Sequence, residues 1–149
     1  MSNQITKSII IEGLANHIYE LWADVEKFPD FMKEIESVQK MGDHTCHWVM
    51  AGPFGTTIEW DTETTRMEVG KRIAWTTIAG DIKTSGQVIF TPLPQAQTEV
   101  TVVLHYVPSV IGLNKDFAVE FFSDVEDKLL RELRNFKAYA EEMPDRIAA

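Results

Sequence analysis

Thr57-Ile58-Glu59-Trp60-Asp61-Thr62-Glu63-Thr64 alternates with a period of two. Successive side chains on a strand point to opposite faces, so Thr57, Glu59, Asp61 and Glu63 share one face and Ile58, Trp60, Thr62 and Thr64 share the other. The carboxylates need water, which turns Trp60 inward. The same rule sends Trp48 and Met50 inward from residues 45–51, Ile73 and Trp75 from 71–78, Val88 and Phe90 from 83–91, and Val100, Val102, Leu104 and Tyr106 from 97–107. Residues 35–41 add one more strand before this run. Gly42-Asp43, Gly52-Pro53, Val69-Gly70, Gly80-Asp81 and Pro92-Leu93-Pro94 separate the strands as turns. No connection is long enough for a crossover helix, so these six strands are expected to form an antiparallel meander.

Outward from the meander, residues 5–12 read as a first strand through Ile5, Ile9, Ile10 and Ile11. Asn16 offers an N-cap to a short helix whose face is Ile18, Leu21, Trp22 and Val25, and Pro29 ends it or begins a second short one. The last segment reads as one long helix over about residues 114–142, with Asn114 as N-cap and Pro144 as stop. Its apolar stripe is Ala118, Phe122, Val125, Leu129, Leu133, Phe136 and Ala140, with Phe121 beside it. A sheet with one wet and one aromatic face needs this helix as its cover. The inner face then forms either a solid core or a lined cavity, and Thr62 and Thr64 add polar groups that a dry core must satisfy.

The 149 residues fit a single domain, 1–149, with a sizeable core. Lys and Arg number 14 and Asp and Glu 23, a net charge of −9 that repels nucleic-acid phosphates and anionic lipid surfaces. No nucleic-acid partner and no stable membrane insertion are therefore expected. No stretch approaches the ~18–20 apolar residues of a membrane span. The start of the chain shows no signal-peptide pattern, which makes the cytoplasm the expected location. The single Cys46 excludes an internal disulfide.

No nucleophile elbow, zinc-protease motif, phosphate loop or paired-cysteine motif is present. His44, Cys46 and His47 superficially resemble a metal cluster. Alternation puts His47 opposite Cys46, and His44 sits in a turn, so no metal site is expected. His17 and His105 read as surface residues.

The segment Trp22-Ala23-Asp24-Val25-Glu26-Lys27-Phe28-Pro29-Asp30-Phe31-Met32 resembles the signature of the polyketide cyclase/dehydrase and lipid-transport family of the START-like (SRPBCC, helix-grip) superfamily. Glu59-Trp60-Asp61, Arg72-Ile73-Ala74-Trp75, Gly86-Gln87-Val88-Ile89-Phe90-Thr91-Pro92 and Thr98-Glu99-Val100-Thr101-Val102 are similar to it as well. The resemblance covers about residues 5–141 and implies an α+β helix-grip fold: a curved antiparallel sheet of about seven strands around a long C-terminal helix, with two short helices after the first strand. Asp24 and Pro29 match that signature, but their positions at a helix end and a turn give them structural roles.

The resemblance also implies a deep cavity for a lipid, a quinone or a polyketide-like molecule. Its lining residues are then Trp48, Trp60, Thr62, Thr64, Trp75, Phe90, Phe121 and Phe122. It leaves two activities open: binding alone, or the folding and dehydration of a poly-β-ketone by an aromatase/cyclase. For the second, Arg66 and Tyr106 are the catalytic candidates, Arg66 because its parity matches Trp60 and Tyr106 because its hydroxyl can donate. The alternative for Arg66 is a solvated strand end. The inner face shows no evident His or carboxylate base. No cofactor is implied, and a homodimer is the third, least supported role.

Overall fold

The computed structural model describes residues 3–110, 112 and 115–143. Seven strands form a single antiparallel sheet: β1 (Asn3–Glu12), β2 (Ile35–Lys40), β3 (Thr45–Ala51), β4 (Thr57–Glu68), β5 (Arg72–Gly80), β6 (Lys83–Leu93) and β7 (Gln97–Val107). Their order is β1-β7-β6-β5-β4-β3-β2, so the six-strand meander is continuous and β1 pairs with its last strand. Between the two edge strands the chain passes through α1 (Ala15–Ala23) and a 3-10 turn, Val25–Asp30. The long C-terminal helical segment follows as α2 (Lys115–Phe121) and α3 (Val125–Glu142). This is the helix-grip arrangement that the sequence leads one to expect. Among the described residues no helix is long and apolar enough to cross a membrane.

Helix α1 buries Ile18, Tyr19 and Trp22, on successive turns of one face. Its N-cap is Leu14 rather than Asn16, and no side chain caps it. Asn16 instead lies against Gly70 in the β4–β5 turn. Asp24 closes the helix, its N–H donating to the Glu20 carbonyl at 3.2 Å, and Pro29 sits inside the 3-10 turn. Asn114 and Pro144 lie outside the described residues.

The C-terminal segment is interrupted at Phe122–Asp124. Asp124 takes a left-handed conformation (φ 53°, ψ 36°) and starts α3 as its N-cap. The local chemistry favours a break here. Ser123 Oγ donates to the Glu120 carbonyl at 2.7 Å, a side-chain bond that competes with the helical ladder, and Asp tolerates the left-handed region better than most residues. The Lys128 ammonium donates to the Phe121 carbonyl at 3.4 Å and so satisfies the end of α2.

The two helices cover different halves of the sheet. Helix α3 sends Leu133, Phe136 and Ala140 into the main core with Ile11, Trp22, Phe28, Val88, Phe90 and Val100. Helix α2 packs Phe117 and Ala118 on a second apolar cluster with Ile58, Trp60 and Ile82. Trp48 packs against both clusters, at the seam between them.

Candidate functional site

The sheet and its helices do not close on one another. A hollow remains between them, and it has two lobes that share Trp22, Phe28, Trp48, Trp60, Trp75 and Leu104. One lobe, of about 280 Å³, runs toward the β2–β3 turn past Cys46, Thr62, Thr64, Met67 and Ile73, with Lys40, Asp43 and His44 at its rim. The other, of about 520 Å³, runs toward the break between α2 and α3. It is bordered by Met32, Met50, Ile82, Phe121, Phe122, Val125 and Leu129, with Glu34, Glu120, Lys128 and Glu132 on its polar side.

The partition between the lobes is aromatic. Trp48 and Trp60 face one another across the β3–β4 ladder and stack at 5.9 Å with 9° between planes. Trp48 also meets Phe28 edge-on at 5.5 Å. Its indole Nε1 donates to the Thr62 hydroxyl at 2.8 Å, which gives buried Thr62 its partner and fixes the ring. Trp75 lies over Gly86, its partner on β6: a Cβ there would meet the indole edge at 3.1 Å and run into the Val103 carbonyl. Gly86 therefore sets the depth of this wall by having no side chain.

Of the candidate residues, Trp48, Trp60, Thr62, Thr64, Trp75, Phe121 and Phe122 all border the hollow. Three others sit elsewhere. Phe90 faces inward but is only 2% exposed, packed edge-on against Tyr19 at 5.6 Å within the solid core. Strand parity assigns a face, not a depth. Tyr106 faces inward but its ring is covered by Phe122, stacked at 5.2 Å, and its hydroxyl accepts a hydrogen bond from Asn3 Nδ2 at 3.4 Å. It borders a separate groove at the ends of β5, β6 and β7.

Arg66 is on the outer face, contrary to its parity. Thr64 pairs with Trp75 while Arg66 pairs with Ala74, so Thr65 is an extra residue and the strand is out of phase beyond it. The Arg66 side chain is 58% exposed and lies 3.6 Å from Glu68. The same bulge brings Met67 to the inner face.

Glu132 is a wall residue that strand parity and motif matching do not reveal. Its side chain is 19% exposed in the wall of the larger lobe, and burial holds its carboxyl above the ordinary carboxylate range, partly offset by Arg131. Its spacing is a usable signal: Glu132 follows Leu129 by three residues and precedes Phe136 by four, which puts it on the inward stripe of α3. Helical periodicity likewise gives Trp22 and Phe28 no more than packing roles, yet each borders both lobes. In the smaller lobe Cys46 is a free, buried thiol whose pKa is raised, chiefly by burial.

His47 lies on the outer face, opposite Cys46. Its Nδ1 is 2.6 Å from Asp61 Oδ1 and its Nε2 3.0 Å from Glu59 Oε1. Only the imidazolium can donate at both nitrogens, and these two hydrogen bonds, the one to Asp61 first, raise its pKa above 6.5. A raised folded-state pKa makes the protonated form the stabilising one. That contribution is complete below the unfolded value near 6.5 and is lost as pH rises through the folded value. The melting temperature is thus expected to fall as pH rises above about 6.5, and His47→Gln to lack that component. Identical pH profiles for parent and variant in differential scanning calorimetry would refute the linkage.

The family model for polyketide cyclase/dehydrase and lipid transport matches residues 11–134. A crystal structure from Deinococcus radiodurans is similar at 30% identity and a TM-score of 0.71, covering 94% of this chain and 98% of that one. The Zhui aromatase/cyclase of a Streptomyces species shares the fold at 16% identity and a TM-score of 0.79, covering 100% and 99%. A START superfamily protein from Mycobacterium smegmatis does so at 15% identity and 0.75, covering 95% and 99%. With that match spanning most of its length, and a hollow roofed by the C-terminal helices, the chain belongs to the polyketide cyclase/dehydrase and lipid transport family.

Proposed function

We propose that this protein binds a bulky apolar small molecule, such as a lipid, a quinone or a polyketide-like compound, in the two-lobed hollow. The observation that supports it is the wall itself. Trp22, Phe28, Trp48, Trp60, Trp75 and Leu104 surround space of about 280 and 520 Å³, the scale of sites for small organic ligands. The few polar groups on the wall, Thr62 and Thr64 among them, orient an occupant without making the lining hydrophilic. The proposed compartment is the cytoplasm, with which a free buried thiol is compatible.

Native mass spectrometry of gently purified protein tests the binding. A discrete mass excess that organic extraction removes, and that added fatty acid or quinone restores at one molecule per chain, is the expected result. A protein that gains no mass from either class, at concentrations where each is dissolved, would contradict the reading.

A second reading, cyclisation or dehydration of a poly-β-ketone in the same space, is supported by the family and by Glu132. Such chemistry needs a proton acceptor against the substrate, and Glu132 is a carboxyl in the wall with a raised pKa. Arg66 faces away and Tyr106 is covered, so neither supports it as a catalytic group.

A further inference from the structure

We propose that Glu132 makes the hollow selective for apolar ligands that carry an O–H or N–H donor on one edge. The inference rests on the binding role above and specifies the chemistry of the occupant.

Glu132 has acceptor capacity to spare. An ionised carboxylate offers about four acceptor positions. Among the described residues the two side-chain polar contacts of Glu132 both fall on Oε1: Asn135 Nδ2 donates at 3.2 Å and Arg131 Nε lies at 3.9 Å. Oε2 has no hydrogen bond among the described residues. Arg131 is itself more than half exposed and reaches Glu34 at 3.5 Å, so its charge is shared and lies at the surface. Of the neighbouring donors, Trp48 Nε1 is engaged with Thr62, while the Lys128 ammonium gives one of its three N–H groups to the Phe121 carbonyl at 3.4 Å and forms no ion pair with Glu132 among the described residues.

An occupant of the larger lobe displaces the water that solvates Oε2. A hydrocarbon edge leaves that oxygen unpaired, and burial already disfavours its charge. A phenolic, enolic or amine donor replaces that water with a charge-assisted hydrogen bond. The selectivity therefore arises as much from the penalty on ligands lacking a donor as from the bond made by those that have one.

The test compares two probes of the same size, 2-naphthol and 2-methylnaphthalene, by isothermal titration calorimetry on the parent protein, Glu132→Gln and Glu132→Leu. The parent is expected to prefer 2-naphthol by about tenfold or more. That preference should shrink in Glu132→Gln, which keeps a neutral acceptor, and vanish in Glu132→Leu, while the affinity for 2-methylnaphthalene holds or rises. A preference unchanged in both variants overturns the role of Glu132 and leaves the binding role intact. Failure of the parent to bind either probe, or any fatty acid or quinone, overturns the binding role and this inference with it.

Discussion

Phe136→Ala is expected to lower the free energy of unfolding by about 3–5 kcal/mol, the usual range for deleting a fully buried ring. Phe136 has no exposed surface. Its ring meets Trp22 edge-on at 4.9 Å and Phe31 at 5.5 Å, so it ties α3 at once to α1 and to the residue that closes the 3-10 turn. These are the elements that border the hollow on the side away from the sheet. Truncation should loosen the roof as well as lower the midpoint, because these two ring pairs fix the angle of α3. Urea unfolding followed by circular dichroism measures the effect. A loss below about 1 kcal/mol would mean that α3 is held by its other neighbours and that the site relaxes freely.

The second large effect is on binding. Leu104 borders both lobes from β7, opposite Gly86 on β6. Leu104→Trp places an indole in the junction, where empty volume can receive it, so the overpacking cost should stay within about 1–3 kcal/mol. The affinity for 2-methylnaphthalene should fall at least about tenfold, since the added ring occupies the space the probe needs. Calorimetric titration of a folded variant decides the matter. An unaltered affinity would put the binding site elsewhere on the molecule.

The fold was legible in the sequence because strands with one wet face announce their own orientation. Glu59 and Asp61 on one side of β4 turn Trp60 inward, and its neighbours follow by pairing. Which side chains face the hollow was legible as far as parity held. It failed at Arg66 because a bulge at Thr65 leaves no mark in the hydrophobic pattern: Thr64-Thr65-Arg66-Met67 reads equally well in either phase. Parity held at Phe90 and Tyr106, which do face inward, but inward residues differ in depth, which depends on what α1 and the segment after α2 place over them. Glu132 was hidden by the opposite assumption, that a charge on an amphipathic helix lies in water. The break at Asp124 was masked because the apolar stripe keeps its spacing from Phe122 to Val125 to Leu129 across the interruption.

The aromatic partition has a practical corollary. The chain contains four tryptophans, and all of them border both lobes. Its indole emission, excited beyond the absorption of its tyrosines, therefore reports from the hollow alone. Any guest that enters should shift or quench that light, so the protein carries a built-in optical sensor for its own occupancy.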